Sequence, residues 1–260
     1  MSRDYNRLRV THEQGVARVT LYNPERRNAI GPEMTNELLY ALQDATADVA
    51  VRAIVMTGEG KAFCAGGDFS QMATGAESSS LPYKGDYADL LLALVRAEKP
   101  TIARVNGHAM GGGLGLVAAC HFAVGTEGAQ LGTPEINVGL FPMMIMAVLA
   151  RHVPRRRLLQ MMLFGEKLNA MDAKSLGLLG SVVPESELDA SVQSLVEGIC
   201  SKSPMTVKLG LRAFAAQDDL DLAAALPMLR EKLGECLGTD DAREGLMAFL
   251  QKRPAVWTGK

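Results

Sequence analysis

The sequence has little of what several common functions require. Its four cysteines, Cys64, Cys120, Cys200 and Cys236, lie far apart with no CxxC pair, so reduced and mostly buried thiols are expected rather than a zinc site, any other metal site or a disulfide frame. An excess of one charge is also missing. With 27 Lys and Arg against 29 Asp and Glu the net charge is −2, which argues against nucleic acid or an acidic membrane surface as a partner held by bulk charge. Long apolar runs are absent too: the stretch from Gly139 to Ala150 contains Pro142 and is about a dozen residues, where a membrane-spanning helix needs about 20. The opening segment MSRDYNRLRVTHEQG carries no apolar signal core, so a cytoplasmic protein is the expectation. Aromatic residues make up 5% of the chain, and no linker rich in Pro, Gly or Ser divides it.

What is present suits a large core. Hydrophobic residues reach 48% and charged ones 22%, which rules out global disorder, and 26 glycines and 14 methionines describe a chain that turns often and packs with flexible side chains. LRVTHEQGVARVTLY reads as two strands around a Gly15 turn. A helix is expected from about Glu33 to Ala47 behind Pro32, then a buried strand over RAIVMTG, a helix from Gly85 to Lys99 stopped by Pro100, and a strand over TIARVNG. An apolar helix LGLVAAC, strands HFAVGT and AQLGT, and helices through most of the remainder follow, with a last strand near Gly180 to Val183. A strand, glycine turn and helix recur at least twice before an all-helical tail, so the fold class is α/β with a helical C-terminal part.

Two glycine turns stand out, each after a buried strand: Phe63-Cys64-Ala65-Gly66-Gly67-Asp68, and Gly111-Gly112-Gly113 within NGHAMGGGLG. Glycine before a helix lets backbone N–H groups approach a ligand, and a pair of such donors from different loops is what an oxyanion hole needs. Gly113-Leu114-Gly115-Leu116-Val117-Ala118 also matches a dinucleotide fingerprint. Seven residues separate it from the preceding strand, however, and Glu135 follows a proline instead of closing a second strand, so a nicotinamide site is not expected.

The runs KAFCAGGDF, KPTIARVNGHAMGGGLGLVAACHFAVGTEGAQLGTPEINVGLFP and GEKLNAMDAKSLGLLGSVVP closely resemble the crotonase superfamily of enoyl-CoA hydratases and isomerases, over nearly the whole chain. The resemblance implies a crotonase (ClpP-like) fold of stacked ββα turns. Residues 1–190 would form the core with the acyl-CoA site, and 191–260 a helical region that completes the site and a homotrimer or dimer of trimers. It implies an acyl-CoA substrate in fatty acid metabolism, no permanently bound cofactor, coenzyme A as the carrier of the acyl group, and stabilisation of a thioester enolate. By position, Gly67 and Gly112 match the two N–H donors to the thioester oxygen. Arg26, Arg27, Ala65, Asp68 and Phe69 match turns that reach coenzyme A, and Phe249 and Lys252 would close its far side from a neighbouring subunit.

The family pattern has two glutamates; here the first position is Gly115, and the second is kept as Glu135 in Thr133-Pro134-Glu135. One carboxylate suffices to move a proton between two carbons, whereas in hydration the second orients the water. The resemblance therefore implies a hydratase-like lyase with a single acid/base glutamate. A 3-enoyl to 2-enoyl isomerase and a catalytically impaired acyl-CoA-binding subunit are the alternatives. His121 is expected to be a hydrogen-bonded structural residue, and the Met143-Met144-Ile145-Met146 run to be helical core or pocket wall.

Overall fold

A computed structural model describes residues 3–68, 71 and 80–260. Ten strands among them form two sheets: β1 (Leu8–Glu13), β2 (Val16–Leu21), β3 (Ala53–Gly58), β5 (Thr101–Val105), β7 (Phe122–Thr126) and β10 (Ser181–Val183) in one, and β4 (Ala62–Cys64), β6 (His108–Met110), β8 (Gln130–Gly132) and β9 (Lys167–Asn169) in the other. The large sheet runs in the order β1-β2-β3-β5-β7-β10, antiparallel at β1-β2 and parallel beyond; the small one runs β4-β6-β8-β9 and is parallel except at β8-β9. From β3 to β8 successive strands alternate between the sheets. Each turn of the chain thus lays one strand on each, which is the stacked ββα arrangement expected above.

The helices that build the site are α1 (Pro32–Ala47), α2 (Tyr87–Val95), α3 (Gly112–Ala119) and α4 (Met143–Leu149). Further on come α5 (Arg155–Phe164), α6 (Ala170–Ser175), α7 (Leu188–Cys200), α8 (Pro204–Gln217), α9 (Leu222–Leu237) and α10 (Asp240–Leu250). The central strand β3 is covered on both faces, which is why it reads as an apolar run, Ala53 to Met56. Ile54, Met56, Ala103 and Val105 face the main core with Leu38, Leu90 and Leu114, whereas Val55, Ile102 and Val124 face Leu188, Val192 and Val196 of α7. Among the described residues no helix is long and apolar enough to cross a membrane.

Two expectations change in detail. The helix expected from Gly85 to Lys99 is Tyr87–Val95, because the Asp86 carboxylate accepts from the N–H groups of Ala88 and Asp89 while Asp89 accepts from Asp86 N–H, a reciprocal cap that fixes Tyr87 as the first helical residue. The small sheet was foreseen only at β8. Its other strands have three residues each, too few to show a period.

Candidate active site

The first glycine turn is held by its neighbour in space. Ile30 donates its N–H to Gly66 O (2.8 Å) and accepts from Asp68 N–H (2.8 Å), so the turn is pinned on both sides of Gly67. Ala65 N–H donates to Arg27 O (2.9 Å), and the Arg26 guanidinium pairs with the buried Asp68 carboxylate (2.9 Å). Arg27 and Asn28 both take left-handed backbone angles, with φ of 50° and 57°. Asn28 is fully buried there; its side-chain amide donates to Glu59 O and Ala62 O, and its side-chain oxygen accepts from Asn23 N–H. Four of the positions matched to coenzyme A, Arg26, Arg27, Ala65 and Asp68, therefore share one pair of interlocked turns.

The second turn opens α3. Gly111 N–H donates to Gly132 O (2.8 Å), tying the turn to β8. Gly111 has φ +49°, and a Cβ there would stand 2.7 Å from Glu135 Oε1, so only glycine allows both the turn and the carboxylate beside it. Among the described residues the N–H groups of Gly67 and Gly112 donate to no acceptor. Both glycines line a cavity of about 650 Å³ together with Glu135 and Tyr87.

Glu135 enters from a single tight helical turn, Pro134–Val138, closed by Gly139 in the left-handed region. Its Oε2 is buried and has no hydrogen-bond partner among the described residues. Burial raises its pKa above the ordinary glutamate value, against a smaller opposing effect of its own backbone N–H. A carboxylate with a buried oxygen left unpartnered can accept a proton and return it. The Cys64 thiol in the first turn is pushed up to about 12 by burial, so it is no nucleophile.

The cavity wall is mostly apolar and includes Phe141, Met143, Met144 and Ile145, which makes the first part of the methionine run a pocket wall; Met161 and Met162 are core. Phe249 is 82% exposed, and neither it nor Lys252 lines the cavity within this chain. Phe69 lies outside the described residues. His121 Nδ1 accepts from Thr101 N–H (3.1 Å), and burial lowers its pKa, as suits a neutral structural residue.

Sequence reasoning missed Tyr87. Its hydroxyl donates to Gly112 O, and its pKa is raised well above 10 by burial first, then by Cys64 and Glu135. A signal existed in Gly115: a Cβ there would meet Ile145 Cγ2 at 2.4 Å and the Tyr87 hydroxyl at 2.5 Å, so the room that the family pattern gives to a glutamate is already filled.

Backbone N–H groups from two glycine turns line one apolar cavity with a carboxylate whose Oε2 is buried, a site able to stabilise negative charge developing beside a proton transfer. The chain belongs to the enoyl-CoA hydratase/isomerase family, whose model matches residues 11–260. It is 36% identical over 249 residues to a putative enoyl-CoA hydratase of Thermus thermophilus, covering 92% of this chain and 96% of that one. It is 34% identical over 249 residues to human mitochondrial enoyl-CoA hydratase domain-containing protein 3, covering 94% and 81%. The crystal structure of that human protein superposes with a TM-score of 0.89 at 32% identity, over 97% of this chain and 100% of that one. A Mycobacterium smegmatis enoyl-CoA hydratase superposes with 0.88 at 33%, over 96% and 98%.

Proposed function

We propose that the protein binds an enoyl-CoA thioester with its carbonyl oxygen on the N–H groups of Gly67 and Gly112, and uses Glu135 as its single acid/base group to add water across the conjugated double bond. The observation that carries this reading is the buried, unpartnered Glu135 Oε2 beside a turn whose Gly112 N–H is also without an acceptor among the described residues. As the enolate forms, its oxygen gains charge, and fixed donors stabilise it most at that moment. Water adds while one proton passes through Glu135. The names of the relatives, enoyl-CoA hydratases, support hydration as the reaction. Arg26, Arg27, Ala65, Asp68 and Phe69 would meet coenzyme A, with Phe249 and Lys252 reaching it across a homotrimer or dimer of trimers; the exposure of Phe214, Leu222, Leu226 and Phe249 supports such an assembly.

A second reading is favoured by the packing at Gly115. With no room there for a second carboxylate to orient water, Glu135 alone suits the transfer of a proton from C2 to C4 that converts a 3-enoyl-CoA to the 2-enoyl-CoA. Loss of the conjugated thioester absorbance from a 2-enoyl-CoA identifies hydration, and its appearance from a 3-enoyl-CoA identifies isomerisation. Glu135→Gln is expected to reduce either turnover by at least about 100-fold with acyl-CoA binding nearly intact, since general acid/base groups contribute about 10² to 10⁴. Full activity in that variant would remove Glu135 from the mechanism. Binding without turnover by the wild-type protein would leave it an acyl-CoA-binding subunit.

A further inference from the structure

We infer that Tyr87 is a positioning residue for the oxyanion donor Gly112, occupying with its phenol the room that a side chain at position 115 would need. This rests on the reading of Gly112 given under the proposed function. Three observations converge on the one side chain. The Tyr87 hydroxyl donates to the carbonyl oxygen of Gly112, the same residue whose N–H is left without an acceptor among the described residues. The ring lies against Gly112 as well: a Cβ there would be 3.5 Å from Tyr87 Cζ and from its hydroxyl oxygen. Gly115, one helical turn on, approaches so closely that any side chain would collide with the hydroxyl and with Ile145.

Gly112 is thereby held from two directions. On its N-terminal side Gly111 N–H is tied to Gly132 O, and on its C-terminal side the phenol holds the carbonyl. A donor fixed in this way keeps its aim while the ligand oxygen gains charge, without relying on the first turn of α3 alone. The phenol also stays protonated. Burial and the neighbouring Cys64 and Glu135 oppose its ionisation, so it adds a neutral dipole where a second carboxylate would have added a like charge beside Glu135. The reciprocal cap of α2 sets the position of Tyr87 in turn, so the second glycine turn is held in part from outside itself.

The test is Tyr87→Phe, which keeps the ring and removes the hydroxyl, read with butyryl-CoA labelled with ¹³C at the thioester carbonyl. Infrared difference spectra of the bound thioester report the polarisation of its C=O bond. Wild-type protein is expected to shift the stretch to lower frequency. Tyr87→Phe is expected to lose more than about half of that shift while the Kd for butyryl-CoA changes less than about threefold, and kcat on the enoyl substrate falls about 10- to 100-fold with KM unchanged. A full shift or an unchanged kcat in Tyr87→Phe overturns the proposal. So does a fall in Tm large enough to account for the loss, since the residue would then only pack. No shift in the wild-type protein overturns the oxyanion reading and this inference with it, whereas an intact shift in Glu135→Gln alongside lost turnover separates the base from the hole.

Discussion

Gly112 is the first residue of α3, a position that favours proline because the N–H that proline lacks has no intrahelical partner there. The preceding Gly111 tolerates the constraint, and a Cβ at 112 meets its neighbours at no less than 3.5 Å. Gly112→Pro should therefore leave the fold in place and delete one donor. The expected result is a circular dichroism spectrum and Tm close to wild type, with kcat lower by about 10² to 10³, as for removal of one oxyanion donor elsewhere. Normal turnover would take Gly112 out of the hole. At this scale the two glycine turns were legible in the sequence because a tight turn after a strand favours a residue without a side chain, and Glu135 stood out by its Pro-Glu setting. Tyr87 was not, because nothing local distinguishes a tyrosine that packs from one that holds a distant carbonyl.

The last three residues of the chain are held by Asp241. Asp241, in the first turn of α10 and 1% exposed, accepts from Ser203 Oγ (2.6 Å), Thr258 N–H (2.7 Å) and Gly259 N–H (3.0 Å), while its own N–H donates to Lys260 O (3.0 Å). Burial pushes its pKa up, but those hydrogen bonds outweigh the effect and hold it below the ordinary aspartate value. Ser203 also caps α8, so the start of α8, the start of α10 and the last three residues meet at this point. Asp241→Ala strands these donors. A loss of roughly 2–4 kcal/mol in urea unfolding is expected, with residues 254–260 newly open to a carboxypeptidase; unaltered stability would make the clasp incidental. In the large sheet β3 was readable as a run buried on both faces, and β1 and β2 by their alternating β-branched residues. Of the three-residue strands of the small sheet, β4, β6 and β9 are set by pairing with partners elsewhere in the chain and leave no local trace.

In the molecule as a whole, the proposed acid/base role of Glu135 and the fold have opposed interests in one proton. The folded-state pKa of Glu135 lies above its unfolded value, so its contribution to stability is complete below the ordinary glutamate pKa and is lost as pH rises through the raised one. Glu135→Gln lacks this titration. The Tm of the wild-type protein minus that of Glu135→Gln is expected to fall as pH rises from about 4 to 7, by about 2–4 °C for each kcal/mol in a chain near this size. The other perturbed groups, Glu37 and Asp241 among them, are common to both proteins and cancel in the difference. A difference that stays flat with pH would mean that Glu135 ionises as freely in the fold as in the unfolded chain.

Ile30 grips the first glycine turn on both sides, by its own N–H on Gly66 O and by Asp68 N–H on its carbonyl. The Gly67 peptide is consequently aimed when the parallel bridge between residues 30 and 67 forms, an event of folding that precedes any encounter with a ligand. In solvent, dipoles must turn toward a charge each time it appears, and that reorganisation makes up much of the barrier. On the proposed reading of Gly67, the turning is done as the chain folds and not at each turnover.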